Sequence, residues 1–256
     1  MRIFITCFLA LIISSSVQAV TGDETIRKMD SNMTFDTAYI ESRMVIHVED
    51  QIREKRFISY SKGRDTGYSE FISPARDKGV KYLKLKDNMW IYMPSVEKTI
   101  KIAGHMLRQS MMGSDISYED AMESTKLLDK YTATLISEET VTIPYSTGTG
   151  TVNAKYNCFV VDLMSKVKEV TYWHRRIWVD KATYVPVKEE LFAKSGKKLK
   201  VQTLGNVQKF DDRYYPVYYT MKDLLRANSL TEMFITKAEF NINMPSDIFT
   251  ERNLTK

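Results

Sequence analysis

Residues 88–94 read NMWIYMP, and this heptapeptide decides how the fold is interpreted. Successive side chains of an extended strand point to opposite faces, so Met89, Ile91 and Met93 share one face, and the two aromatic residues between them share the other. One face of a single antiparallel layer is commonly in contact with water. A strand that is apolar on both faces therefore predicts cover on both sides of the sheet, or a cavity on one side.

The sequence on either side of this heptapeptide repeats with a period of two. Apolar and polar residues alternate in ESRMVIHVED (41–50), and VKYLKLKD (80–87) leads into the heptapeptide through a predicted hairpin turn at Asp87-Asn88. Two-sided apolar runs return in CFVVDLM (158–164) and VYYTM (217–221). Short strands separated by turn residues predict an antiparallel meander that curls into a barrel or a half-barrel.

Two segments have helical rather than strand periodicity. Thr21 and Glu24 form a predicted capping box at the start of a short helix. The second segment, HMLRQSMMGSDISYEDAM (105–122), begins with one or two helical turns ended by Gly113. Its acidic residues are interpreted as the start of another helix, because Ser117 and Asp120 make a second capping box. We expect that helix to run to about Lys130.

The first nineteen residues have the pattern of a secretory signal peptide (1–19). Arg2 precedes an apolar run, and small residues lead to a predicted cleavage site after Ala19. The apolar run is too short to span a bilayer. Cleavage removes Arg2 and lowers the formal charge from +5 to +4. We expect residues 20–256 to form a single exported, periplasmic domain. Its small net positive charge predicts weak attraction to anionic lipid, but the charge is spread too widely along the sequence to indicate nucleic-acid binding.

Catalytic and metal-binding signatures are missing from the sequence. The three histidines are far apart, and no HExxH, CxxC, GxSxG or phosphate-binding glycine loop occurs. Cys158 is the one cysteine left after cleavage, and its apolar neighbours predict a buried, inert thiol. We therefore predict a protein that is not an enzyme and has no cofactor.

The fourteen methionines leave three interpretations open. They are core residues, or they bind Cu(I) through His105, Met106, Met111 and Met112, or they form the adaptable wall of an apolar cavity. The two-sided strands favour the cavity, with the methionine-rich segment as a movable lid. Seven residues are predicted to contact an acyl chain: Met89, Ile91 and Met93 on a strand, and Met106, Leu107, Met111 and Met112 on the lid. If the strand faces the other way, Trp90 and Tyr92 replace the first three.

Several motifs in one order along the chain resemble those of a known family. They are Lys28-Met29-Asp30, Trp90-Ile91-Tyr92-Met93-Pro94, Met112-Gly113-Ser114-Asp115, Trp178-Val179-Asp180-Lys181 and Met244-Pro245-Ser246-Asp247. The sequence resembles the LolA-like outer-membrane lipoprotein-sorting family. The resemblance implies a mainly β (α+β) fold, an unclosed antiparallel β-barrel of about eleven strands with a helical lid over its concave face.

The resemblance also implies a function and a set of partners. It implies a monomeric periplasmic carrier that binds acyl chains of a lipid or lipoprotein and moves them between envelope membranes. An inner-membrane transporter would be the donor, an outer-membrane component the acceptor, and contact with the membrane transient. Because the middle segment is longer and the lid is rich in methionine, the family's lid-locking arginine is assigned to no position. A non-carrying docking subunit of an envelope transport system and a copper-binding protein remain as alternatives.

Overall fold

The computed structural model describes residues 20–123 and 126–256. The predicted signal peptide lies outside the described residues. No helix within these two ranges is long and apolar enough to cross a membrane.

Thirteen strands in the described chain form one antiparallel sheet, with the order β6-β5-β4-β3-β2-β1-β13-β12-β11-β10-β9-β8-β7. Their bounds are β1 (Thr37–Val48), β2 (Gln51–Lys62), β3 (Thr66–Ser73), β4 (Lys81–Leu85), β5 (Asn88–Met93), β6 (Lys98–Ile102), β7 (Tyr131–Ser146), β8 (Thr151–Ser165), β9 (His174–Asp180), β10 (Pro186–Phe192), β11 (Lys198–Phe210), β12 (Arg213–Asp223) and β13 (Ser229–Phe240). The two edge strands, β6 and β7, do not pair with each other. The predicted unclosed antiparallel barrel is confirmed.

The sheet has thirteen strands rather than the expected eleven or so, for two reasons. The alternating run at residues 175–193 contains two strands, β9 and β10, which are joined by the turn that follows Asp180. The edge strand β6 has only five residues and buries a single one of them, Ile102. Its alternation is therefore too weak to recognise in the sequence.

Four short helices accompany the sheet in the described residues: α1 (Gly22–Asn32), α2 (Tyr118–Met122), α3 (Leu127–Lys130) and α4 (Glu251–Leu254). The Thr21 side chain accepts the Glu24 backbone N–H at the start of α1, which is one of the two bonds of the predicted capping box, whereas the Glu24 carboxylate pairs with Lys28. The predicted capping box of Ser117 and Asp120 is also present at the start of α2.

The expectation of one helix from Ser117 to about Lys130 is wrong. The first helix ends at Met122, and Glu123 leaves the helical conformation at φ −57° and ψ 114°. The physical reason is the Glu123 carboxylate, which accepts a hydrogen bond of 2.5 Å from Arg175 on β9. This contact with the sheet directs the chain away from the helix axis.

One face of the sheet, which we call the inner face, bears α1 and the lid segment, defined as residues 104–122. Helix α1 packs through Ile26 and Met29 onto inner-face residues of β8 and β9, including Val161 and Ile177. The lid segment covers the inner face of the opposite half of the sheet, from β2 to β6. Between these two covers the inner face of β10–β13 is left partly open.

The opposite, outer face of β3–β5 is covered by the C-terminal segment. Leu254 of α4 is fully buried among outer-face residues, and Trp90 and Tyr92 pack beside it. Met89 and Ile91 face the lid segment instead. The two-sided strand at residues 88–94 therefore has a separate apolar cover on each face.

Candidate functional site

The lid segment consists of two short 3₁₀ turns followed by α2. The turns span Gly104–Arg108 and Met111–Gly113. Gly113 at φ 80° makes the reversal between the second turn and the strand-like residues that precede α2. Because these turns are short, their position depends on contacts with the sheet rather than on helix propensity.

The apolar side of the lid segment packs against the inner face as one cluster. Met106, Leu107, Met111 and Met112 are partly buried there, against a group of buried residues of the sheet that includes Met89 and Ile91. Met93 also packs against this cluster. All seven residues predicted from the sequence to bind an acyl chain thus lie in one lid–sheet contact.

A cavity of about 410 Å³ adjoins this contact, between the lid segment, the end of α1 and strands β10–β13. Its wall is mainly apolar, and the apolar side chains are Met33, Phe57, Met111, Ile116, Ala121, Leu191, Leu204, Tyr215, Pro216, Tyr219, Met221 and Met233. Of the seven predicted residues, only Met111 is on this wall. Leu107 lines a separate, more open pocket of about 380 Å³. The binding role of the seven residues stays a prediction.

Most of the cavity wall was not singled out from the sequence. Leu191, Leu204, Met221 and Met233 come from four consecutive strands, β10–β13, and meet because the register places them on the same face. The sequence signal available was the two-sided run at 217–221, which contains Tyr219 and Met221. The sequence did not show that this run, rather than residues 89–93, is next to the open part of the inner face.

The copper interpretation required four side chains to share one environment. Met106, Met111 and Met112 pack in the apolar lid–sheet cluster, whereas His105 is exposed. The structure therefore does not bring the imidazole into the methionine cluster. Within residues 20–123 and 126–256, no group of three or more His, Cys, Asp or Glu residues is placed to hold a metal ion.

Charged residues occupy one end of the cavity and bind the lid segment. Lys200 on β11 donates hydrogen bonds to the Asp120 carboxylate (2.5 Å) and to the Asp115 carbonyl oxygen (2.9 Å). The Tyr172 hydroxyl also donates to Asp120. Burial acts to raise the pKa of Asp120, but the Lys200 ammonium and these hydrogen bonds outweigh it and hold that pKa below its ordinary value.

Arg175 on β9 links the end of the lid to the sheet. Its guanidinium donates to Glu123 (2.5 Å) and to Glu189 (3.2 Å), and it lies over the rings of Tyr131 and Tyr172 at 5.3 and 5.4 Å. Burial raises the pKa of Glu189, although the charge of Arg175 opposes this shift. Because the guanidinium is desolvated, these two carboxylates offset the free-energy cost of burying its charge.

Asp115 is the main polar anchor of the lid segment. The residue is 2% exposed, and its carboxylate accepts hydrogen bonds from the Ser229 hydroxyl (2.5 Å), the Thr231 hydroxyl (2.7 Å) and the Asp223 backbone N–H (3.1 Å). The acidic residues of this segment were expected to form a helix start. That interpretation fits Ser117 and Asp120 but is wrong for Asp115, which bonds to β12 and β13 rather than to a helix.

Arg226, in the turn between β12 and β13, holds the same part of the lid. Its guanidinium donates to the carbonyl oxygens of Ser114 (2.5 Å) and Gly113 (3.3 and 3.4 Å). The lid therefore combines apolar packing with buried polar anchors that have fixed partners. Such a cover can open only by breaking a defined set of bonds, and it closes over an apolar space.

Comparison with known proteins agrees with this architecture. A family model described as "-like: Uncharacterized protein" matches residues 63–256, which is more than half of the chain. The chain belongs to this family. No curated protein matches the chain.

Three solved structures share the fold. A DUF1329 family protein from Desulfovibrio piger is 25% identical, with a TM-score of 0.78 over 91% of this chain and 97% of its own. A protein from Vibrio parahaemolyticus, named as an outer membrane lipoprotein-sorting protein domain, is 20% identical, with a TM-score of 0.76 over 92% and 98%. A LolA superfamily protein from Nitrosomonas europaea is 21% identical, with a TM-score of 0.72 over 92% and 100%. The resemblance to LolA-like proteins is confirmed at the level of the fold.

Proposed function

We propose that this protein is a periplasmic carrier that holds an acyl chain of a lipid or lipoprotein in the cavity under its lid. The single observation that carries the proposal is the apolar cavity between the lid segment and β10–β13. Its volume of about 410 Å³ lies within the range of roughly 300–1,000 Å³ that is typical of small-molecule sites. The name of the Vibrio parahaemolyticus relative, a lipoprotein-sorting domain, supports the same function.

The physical chemistry of the cavity suits transport of an acyl chain. Burial of each methylene contributes about 0.8 kcal/mol, so a fourteen-carbon chain gains roughly 11 kcal/mol in gross transfer free energy. A wall with Met33, Met111, Met221 and Met233 adapts to chains of different shape, because methionine is unbranched and flexible. No catalytic step is needed, and we propose a non-enzymatic role.

Release is the second requirement of a carrier, and the anchors of the lid bear on it. The polar bonds of Asp115, Asp120 and Arg226 fix the lid in one closed position. A partner that competes for these bonds can open the cavity without unfolding the sheet. We propose that donor and acceptor components in the envelope act in this way on a monomeric carrier.

The experiment compares two matched methionine-to-tryptophan variants. Met221 is on the cavity wall, whereas Met164 is on β8 and 48% exposed. The indole of Met221→Trp can enter the cavity, so we expect it to weaken binding of a dansyl-labelled fatty acid at least about tenfold, since two displaced methylenes account for that loss. Met164→Trp should bind as the unmodified protein does.

Circular dichroism and thermal unfolding of both variants check that the fold is intact. Equal binding by the two variants would place the fatty acid outside the cavity. No binding by the unmodified protein would contradict the carrier function and support the alternative, a docking subunit of an envelope transport system.

A further inference from the structure

Three neighbouring turns form a continuous stretch at one rim of the sheet. They connect β8 to β9 (166–173), β10 to β11 (193–197) and β12 to β13 (224–228). These strand pairs are adjacent in the sheet order, and all three turns lie at the same end of the strands. We call this stretch the basic rim.

Positive charge is concentrated on the basic rim. Its turns contain five basic residues and one acidic residue: Lys166, Lys168, Lys194, Lys197 and Arg226, with Glu169. The four lysines are exposed. The other three turns at the same end contain two basic and four acidic residues: Arg76 and Lys78, with Glu49, Asp50, Asp77 and Glu97. The charge is therefore a property of one half of the rim and not of the whole protein.

Apolar side chains protrude from the same turns. Leu225 is 59% exposed, Leu224 is 42% exposed and Val167 is 39% exposed. Apolar residues interspersed with lysine and arginine are typical of surfaces that bind the interface of an anionic bilayer. A protein partner would need a packed, complementary apolar core, whereas apolar tips on separate turns can enter a fluid surface individually.

We propose that the basic rim docks this protein on an anionic lipid bilayer, with Leu224 and Leu225 inserted among the headgroups. This proposal rests on the proposed function, because a carrier of acyl chains has to visit a membrane. Docking also places the lid anchors beside the bilayer. Arg226 lies in the docked turn and donates hydrogen bonds to carbonyl oxygens of the lid segment. Asp223, whose backbone N–H bonds to Asp115, is the residue immediately before this turn.

The test is flotation with vesicles of phosphatidylcholine, prepared with and without phosphatidylglycerol. We expect the unmodified protein to float with the anionic vesicles only, and less so at high salt, because screening weakens attraction between exposed charges. The double variant Leu224→Asp/Leu225→Asp should lose at least tenfold in partitioning. The matched control is Val96→Asp, because Val96 is 53% exposed on the acidic half of the same rim and should have no effect.

A second pair of variants tests the charge. Lys194→Gln/Lys197→Gln should weaken partitioning by about fivefold for each cation near the surface, whereas Arg76→Gln/Lys78→Gln should not. The proposal would be overturned by equal losses in the two charge-removing double variants, or by equal losses for Leu224→Asp/Leu225→Asp and Val96→Asp. It would also be overturned by equal flotation with both kinds of vesicle, or by no flotation at all. All substitutions are on exposed turns, and thermal unfolding verifies each fold.

Flotation and fatty-acid binding distinguish the two proposals. Flotation without fatty-acid binding would support the docking surface and contradict the carrier function. Fatty-acid binding without flotation would contradict the docking surface and support the carrier function.

Discussion

Replacement of Asp115 with alanine should release the lid and leave the sheet folded. The substitution removes the acceptor of three hydrogen bonds, from Ser229, Thr231 and the backbone N–H of Asp223. The two hydroxyls can turn to other partners, but the Asp223 N–H is fixed in direction by the backbone and cannot. Hydrogen bonds to a charged group contribute roughly 1.5–3 kcal/mol each, and they are not additive. We expect a loss of about 3 kcal/mol in the free energy of lid closure.

The assay is hydrogen exchange followed by mass spectrometry of peptides. A loss of about 3 kcal/mol corresponds to roughly a hundredfold faster exchange. The acceleration should be confined to lid amides, among them the N–H of Met111, which bonds to Ile116, and the N–H of Tyr118, which bonds to Gln109. Peptides of β8 and β9 should exchange at their original rates, because the sheet keeps its own hydrogen bonds.

The control is Asp162→Ala, in which another partly buried carboxylate is lost. Asp162 accepts two hydrogen bonds from Arg176 (2.7 and 2.9 Å) within the β8–β9 pair and does not contact the lid. It should leave lid exchange unchanged. Unchanged lid exchange in Asp115→Ala, or equal acceleration in the lid and in β8–β9, would refute the assignment of Asp115 as the lid anchor.

Three further predictions concern buried groups. Arg175→Met should lower the free energy of unfolding by about 3–5 kcal/mol in a urea titration, because Glu189 is left as a buried, unpaired carboxylate. The double variant Arg175→Met/Glu189→Gln should recover much of this loss, and no recovery would contradict the pairing. Because the pKa of Asp120 is lowered on folding, its bonds stabilise the closed lid above the ordinary pKa of 3.8 and are lost as the pH falls through the lowered pKa. Lid exchange, corrected for its intrinsic pH dependence, should therefore accelerate only below that ordinary value, and acceleration near neutral pH would argue against the assignment. Burial raises the pKa of the Cys158 thiol to about 12, so iodoacetamide should label the folded protein far more slowly than the protein in urea. Rapid labelling of the folded protein would show that Cys158 is accessible.

The architecture could be predicted from the sequence because strand alternation and turn residues are local signals. The heptapeptide at 88–94 predicted cover on both sides, and the structure provides the lid segment on one face and α4 on the other. The edge strand β6 escaped prediction because it buries only Ile102. The helix expected up to Lys130 ends at Met122 because of a distant contact, which local periodicity does not contain.

The polar anchors could be only half predicted. Alternation places Arg175 on the same face as Ile177 and Val179, so a buried guanidinium was foreseeable in principle. Its partners, Glu123 and Glu189, are 52 and 14 residues away, and nothing in a single sequence pairs them. The same holds for Asp115, which bonds to a strand 116 residues later.

The cavity wall shows the same limit. Seven residues were predicted to bind an acyl chain, and they meet in one lid–sheet cluster, yet only Met111 also lines the cavity. Their spacing identified apolar faces correctly. Which part of an apolar face stays open depends on where α1 and the lid segment end, and that is set by tertiary contacts.

The most direct test of acyl-chain binding in the cavity is native mass spectrometry of residues 20–256 after gentle purification, with solvent extraction to identify any bound molecule. We expect an adduct of acyl-chain mass, retained in Met164→Trp and lost in Met221→Trp. A mass of the protein alone, unchanged after incubation with lipid vesicles, would contradict the claim that the cavity carries an acyl chain.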